Sequence, residues 1–332
     1  MPFASISRER GRVARAALVC SLVIGAALPR AQTPAPASAG EAPAQDRFRS
    51  KTELVVLQVA VVDGHGKFVP GLREDDFAVY EDGKPQTVTY FAATSPPLDL
   101  MLLIDTSASM VGRMALAQDA AIELVRTLKP GDRAGVVLFS HQLRKAHALS
   151  GDFAEVESAI KSAEAMGATA VYEALYVTLR DLARARVDPG EQRRSAIVVL
   201  SDGEDNRSHV EFLDLLSEAR RLTATIFTVL PGPFPDAAIM DATRVKPNAM
   251  FEMRAIAEAT GGRVFTPATM TDLGRVYQEI ASELRHQYWL AYAPQPSPLD
   301  GFKRISVRTE THPGLRARTR SGYYVGREAR SR

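Results

Sequence analysis

Hydrophobic and polar positions along the chain fall into three stretches with different periods. Leu54 to Val62 is rich in branched aliphatic residues, which pack well on a pleated surface, and it reads as a strand. Asp63-Gly64-His65-Gly66 then turns the chain. Phe77-Ala78-Val79-Tyr80 and Thr87-Val88-Thr89-Tyr90 flank Glu81-Asp82-Gly83-Lys84. Asp-Gly between two strand-like runs predicts a hairpin, because glycine tolerates a positive φ. Ser95-Pro96-Pro97 ends this β region.

From Leu98 to about Gln287 the pattern alternates between strand and helix. Leu98–Ile104 is a nearly continuous apolar run, as expected of a strand covered on both faces. Met114, Ala117, Ala121, Leu124, Val125 and Leu128 follow at helical spacing. Ala134–Phe139 reads as a second buried strand. Phe153, Val156, Ile160 and Ala163 predict one helix, and Val171, Leu175, Leu179 and Leu182 another. Ala196–Leu200 is a buried strand, Leu213, Leu216 and Leu222 suggest a helix, and Ala224–Leu230 is again a strand. Leu273, Val276, Tyr277, Ile280, Ala281 and Leu284 mark a last helix. Repeated strand–helix units predict a doubly wound α/β fold, with a mainly parallel central sheet and helices on both faces. Pro231–Asn248 interrupts the pattern, and its four prolines predict an irregular surface loop.

The tail returns to β structure. Tyr288–Ala293, Phe302–Thr309 and Leu315–Val325 are strand-like, separated by Pro294-Gln295-Pro296-Ser297-Pro298 and by His312-Pro313-Gly314. A short β segment alone buries too little to be stable, so the two flanks are expected to meet in one small β domain. The expected organisation is therefore residues 47–96 as an N-terminal β segment, 97–287 as the α/β domain, 288–326 as a β segment packing on 47–96, and 327–332 as a tail.

The first residues have a separate reading. Arg8, Arg10, Arg12 and Arg15 precede an apolar run from Ala16 to Leu28, with small residues at Ala26, Ala27 and Ala31. This is the layout of a secretory signal over residues 1–32, and the run is short for a membrane span. An uncleaved anchor is the alternative. Residues 33–46 are rich in Pro, Ala and small polar residues and read as a linker. Removing 1–32 changes the formal charge from +2 to 36 basic against 38 acidic residues. No strong field for nucleic acid is implied. The single cysteine, Cys20, lies in the apolar run, and Leu18-Val19 before it fits a lipoprotein site poorly. The remaining chain would have no thiol, disulfide or cysteine metal site. An exported protein, periplasmic, envelope-bound or secreted, is expected.

Candidate chemistry concentrates on three loops. Asp105-Thr106-Ser107-Ala108-Ser109 directly follows the strand Leu98–Ile104 and precedes a helix. In open α/β sheets ligands bind at the carboxyl ends of strands. One carboxylate and two hydroxyls at i, i+2 and i+4 offer hard oxygens on one loop, which suits Mg²⁺. Thr169, in Gly167-Ala168-Thr169-Ala170, precedes a helix, and Asp202, in Ser201-Asp202-Gly203-Glu204-Asp205-Asn206, follows the strand Ala196–Leu200. Asp and Ser are also ordinary cap and turn residues, so no one loop is diagnostic. Thr169 alone could cap a helix, Glu204 and Asp205 read as a solvated acidic turn, and Ser140 as a cap or core satisfier.

Taken in this order and on these elements, Asp105-x-Ser107-x-Ser109, Thr169 and Asp202-Gly203 resemble the metal-ion-dependent adhesion site of von Willebrand factor type A domains. The resemblance covers about Leu98 to Gln287. The flanks, Val61-Val62-Asp63 through Glu81-Asp82-Gly83-Lys84-Pro85-Gln86 and Gln287-Tyr288-Trp289-Leu290-Ala291-Tyr292 with Gly322-Tyr323-Tyr324, look like those of bacterial exported proteins of this type. The resemblance implies a Mg²⁺, with Mn²⁺ or Ca²⁺ as substitutes, held by Asp105, Ser107, Ser109, Thr169 and Asp202. It implies that a partner protein's Asp or Glu completes the coordination, and that the chain is a binding module of the adhesion type, not an enzyme. An envelope assembly component with a loop-locking metal is the second reading, and a metal-assisted hydrolase the third. The six histidines are scattered without HExxH spacing, and neither a GxxxxGK[ST] nor a GxSxG motif occurs. No general base accompanies the proposed ligands. Trp289 and tyrosines 288, 292, 323 and 324 are expected to be packing residues.

Overall fold

The computed structural model describes residues 54–94, 96–185, 192–201, 205–231, 247–295 and 301–325. The expected signal, linker and C-terminal tail, and Asp202 with Gly203 and Glu204, lie outside these residues.

A six-stranded sheet forms the centre. It comprises β5 (Leu98–Asp105), β6 (Arg133–Phe139), β7 (Leu143–Ser150), β8 (Arg194–Leu200), β9 (Thr225–Val229) and β10 (Val264–Phe265), in the order β10-β9-β8-β5-β6-β7. All pairings are parallel except β6 with β7. The strand alternation of side chains explains why β5 is apolar at every position except Asp99 and Asp105. Leu98, Leu100, Leu102 and Ile104 face a core shared with α1 (Met114–Arg126), α2 (Phe153–Lys161) and α6 (Leu273–Arg285). Met101 and Leu103 face the opposite core, shared with α3 (Val171–Arg184), α4 (Phe212–Arg221) and α5 (Pro247–Ala259). The expected doubly wound architecture is observed. No helix among the described residues is long and apolar enough to cross a membrane.

Three elements were not foreseen by periodicity. Strand β7 (LRKAHALS) is a half-exposed edge strand whose Arg, Lys and His residues obscure any alternation, the usual way an edge is kept from pairing further. Strand β10 has only two residues. Helix α5 begins at Pro247, one of the residues that suggested a loop. Proline is well placed at a first helical position, where its missing N–H is not needed.

The flanks join as expected, but as two sheets instead of one. Strands β1 (Val55–Val62), β4 (Val88–Ala92), β11 (Tyr288–Tyr292) and β13 (Arg316–Arg318) form an antiparallel sheet in the order β13-β1-β11-β4. Strands β2 (Ala78–Glu81), β3 (Lys84–Gln86), β12 (Gly301–Arg308) and β14 (Gly322–Val325) form another, ordered β14-β12-β2-β3. Leu57, Val59, Val61, Tyr288, Leu290 and Tyr292 from the first sheet share one core with Val79, Ile305 and Val307 from the second. The Asp82-Gly83 turn links β2 to β3, with both residues at positive φ (48° and 79°), as a two-residue hairpin of this kind requires. The phenol groups of Tyr292 and Tyr323 both donate to buried Glu81, at 2.7 and 2.9 Å, consistent with packing roles for the tyrosines.

Candidate metal centre

Strand β5 lies between β6 and β8, and the helices beside it pack on opposite faces, so its carboxyl end is the switch point of the sheet. Asp105, the last residue of β5, is fully buried there. Its Oδ1 accepts from Ser107 N at 2.8 Å, and its Oδ2 accepts from the Ser201 hydroxyl at 2.7 Å. The first of these bonds curls the loop back over the strand end. Thr106 N adds a bond to Phe139 O at 2.7 Å, which fastens the loop to the end of β6.

The turn after Asp105 brings the two serines together. Their hydroxyl oxygens lie 2.9 Å apart and share a hydrogen bond, with Ser107 buried and Ser109 exposed. An octahedral Mg²⁺ with bonds of 2.0–2.1 Å places neighbouring ligand oxygens about 2.9 Å apart. The 2.9 Å separation is an ordinary hydrogen-bond length that also fits adjacent ligands on such an ion. One carboxylate with several hydroxyls, and no thiol or imidazole, is also the donor chemistry of a hard cation. Among the described residues no three His, Cys, Asp or Glu side chains gather at a single point.

The loop carrying Thr169 is tied to the first loop by backbone bonds. Ala108 N donates to Gly167 O at 2.9 Å, and Met166 N donates to Thr106 O at 2.6 Å. Gly167 holds φ at +91°, and a Cβ there would sit 2.5 Å from His141 Nδ1, so glycine serves both the backbone angle and the close approach. Thr169 is buried at 3 % exposure. It is not the cap of α3: the residue at that position is Ala170, which has no side-chain cap.

The first turn of α3 is capped from a distance instead. Asp205 Oδ2 accepts from Tyr172 N at 2.8 Å, and Ser208 Oγ accepts from Glu173 N at 2.9 Å. Asp205 also accepts from Arg207 N, Ser208 N and the Ser208 hydroxyl. A carboxylate at a helix N-terminus satisfies orphan donors and meets the positive end of the dipole. Asp205 was expected in a solvated acidic turn; it is half-buried and organises α3. Asn206 adds a further tie, pairing with Thr169 through two bonds. Nothing in the sequence marks either role, because both depend on which loop lies alongside. Tyr172, the second residue of α3, donates to Glu252 on α5, and burial followed by that carboxylate pushes its phenol pKa well up. Ser140 is buried, its N–H donates to Gln142 O at 3.0 Å, and its hydroxyl lies 3.4 Å from His141 Nδ1.

Of the sequence-derived set, Asp105, Ser107, Ser109 and Thr169 thus sit on two loops bonded to each other at the crest of the sheet. Asp202 is outside the described residues, while Ser201 immediately before it is bonded to Asp105.

Residues 100–204 match the model of the von Willebrand factor type A domain family. The α/β domain of this chain is similar to von Willebrand factor type A domains. Among curated relatives, a UPF0353 protein of Mycolicibacterium paratuberculosis is 27% identical over 225 residues, covering 63% of this chain and 66% of the relative. An uncharacterized protein of Synechocystis is 32% identical over 114 residues, covering 33% of this chain and 26% of the relative. The chain therefore spans less than two thirds of the length of these relatives. Among solved structures, a von Willebrand factor type A protein from Catenulispora acidiphila aligns over 81% of this chain and 73% of its own, with a TM-score of 0.47 and 15% identity. Domains of this family are in general protein-interaction modules.

Proposed function

We propose that the α/β domain binds one divalent cation, Mg²⁺ in the first instance, through Asp105, Ser107, Ser109, Thr169 and Asp202, and that the ion recruits a partner protein through an Asp or Glu carboxylate. The observation that carries the reading is the spacing of the Ser107 and Ser109 hydroxyls beside buried Asp105 at the switch point of the sheet. When bound, the ion would supply Lewis acidity toward an incoming carboxylate. The chain's own residues do the rest. Asp105 brings negative charge from the strand end, the hydroxyls bring oxygen without further charge, and exposed Ser109 leaves the outer side of the site open to solvent.

The loop-locking alternative is disfavoured by the backbone bonds. Ala108–Gly167, Met166–Thr106 and Asn206–Thr169 already join the loops by protein contacts alone. The ion is therefore free to act on a partner instead of holding the fold together. Export to the periplasm, envelope or medium, and an adhesion-type role without catalysis, complete the proposal and rest on the N-terminal sequence and the family.

The test is affinity capture from envelope and medium fractions in Mg²⁺ and in EDTA, using the intact chain and Asp105→Ala. A partner retained by the intact chain in Mg²⁺, and lost both in EDTA and in the variant, is expected. Equal capture under all conditions would defeat the proposal.

A further inference from the structure

We infer that Asn206 is the positioning residue for Thr169, and that it tunes the site for Mg²⁺ over larger cations by fixing the backbone from which the Thr169 hydroxyl projects. The inference rests on the metal reading above and extends it to a residue outside the ligand set.

Asn206 Oδ1 accepts from Thr169 N at 3.1 Å, and Asn206 N donates to Thr169 O at 3.1 Å. Both backbone polar groups of one threonine are thus held by one asparagine. Two bonds flanking a single Cα restrict both of its backbone dihedrals, and with them the direction of its side chain. Thr169 needs such a hold from outside. It follows Gly167 in the left-handed region, and no side chain at Ala170 caps the helix that begins after it.

The segment that supplies the hold is itself rigid. Asp205 gathers the N–H groups of Arg207 and Ser208 and the Ser208 hydroxyl, and Asp205 and Ser208 together cap α3 through Tyr172 and Glu173. Asn206 therefore transfers the fixed position of the 205–208 turn to Thr169. Its side chain is exposed, so it contributes nothing to the hydrophobic core.

The consequence depends on the cation. Mg²⁺ demands near-ideal octahedral geometry, whereas Ca²⁺ accepts flexible, irregular coordination. Partners that orient ligands typically change metal affinity by ~10–100-fold when removed. Removing the Asn206 side chain takes away the bond to Thr169 N and leaves the backbone bond to Thr169 O, and the Thr169 hydroxyl so loosened should cost Mg²⁺ more than Ca²⁺, which a purely structural role for Asn206 would not produce.

The experiment is calorimetric titration of the intact chain, Asn206→Ala and Asn206→Asp with Mg²⁺ and with Ca²⁺, alongside thermal unfolding in EDTA. Asn206→Ala should bind Mg²⁺ about tenfold more weakly or worse, with a smaller loss for Ca²⁺ and an unchanged melting transition in EDTA. Asn206→Asp, which keeps the acceptor oxygen, should hold at least the affinity of the unaltered chain. Equal losses for both cations together with a lowered transition in EDTA would make Asn206 merely structural and overturn the inference. Unchanged Mg²⁺ affinity in Asn206→Ala would overturn it alone, leaving the metal reading intact. Failure of the unaltered chain to take up Mg²⁺ would overturn both.

Discussion

Strand β5 carries a buried aspartate near each end, and the two are surrounded by opposite chemistry. Asp99, at 2 % exposure, receives Arg133 at 2.7 Å and Arg193 at 2.9 Å. Arg193 goes on to Gly131 O, and the neighbouring Arg194 donates to Pro96 O and Leu284 O, so the amino end of the sheet is knitted by guanidinium groups. Asp105, the last of the strand's eight residues and fully buried, is met by the Ser107 peptide N–H and the Ser201 hydroxyl, with the paired Ser107 and Ser109 hydroxyls on the loop that follows. The first arrangement spends its carboxylate on the fold. The second gathers hydroxyl oxygens at a rim that ends on exposed Ser109. What distinguishes the two aspartates is the set of groups facing each, not residue type or depth.

This contrast can be broken by exchanging what each end loses. Asp99→Asn removes the charge that two arginines are built around. Breaking a buried ion pair leaves the remaining charge uncompensated and typically costs about 3–5 kcal/mol. Denaturant unfolding of Asp99→Asn should show a loss of that order, while Mg²⁺ titration of the folded fraction should give the affinity of the intact chain. A variant as stable as the original would mean that the amino end is not the structural anchor described here.

Asp105→Ala should behave in the reverse manner. It forfeits the bonds to Ser107 N and Ser201, and leaving such donors unmatched costs about 1–3 kcal/mol. Mg²⁺ uptake should nevertheless disappear, measured by the same titration. The comparison sharpens if the two variants cross over, with the less destabilised one losing the metal.

Gly167→Ala is the smallest change expected. It forces a side chain into the left-handed region against His141, and strain of this kind costs about 1–3 kcal/mol. Thermal unfolding should drop modestly, and Mg²⁺ affinity should fall with it because Gly167 O is the acceptor that ties this loop to Ala108. Doubling the variant with His141→Ala should recover only the part due to crowding, leaving the part due to φ.

The contrast also shows what could be read from the chain. Leu98 to Ile104 was legible as a strand covered on both sides because its apolar run lacks any alternation, and the loop Asp105 through Ser109 was legible as a candidate site because a strand end in an α/β sheet is where ligands go. The flanking β segments were legible from Asp82-Gly83 and from the branched aliphatic run Leu54–Val62, but not their division into two sheets, which depends on pairings more than 200 residues apart such as Val55 with Tyr292. Edge strand β7 was hidden by its charges, and the start of α5 by a proline that serves a helix as well as a loop. Asp205 and Asn206 were hidden for a related reason. An acidic turn and a remote helix cap have the same sequence, and only the approach of α3 and Thr169 distinguishes them.

The most direct measurement is a crystal structure of the intact chain grown with Mn²⁺, read by its anomalous signal. One strong peak should lie within bonding distance of the Asp105 side chain and of the Ser107, Ser109 and Thr169 hydroxyls. A map with those side chains ordered as described and no anomalous peak between them, or with the peak elsewhere on the molecule, would contradict the account.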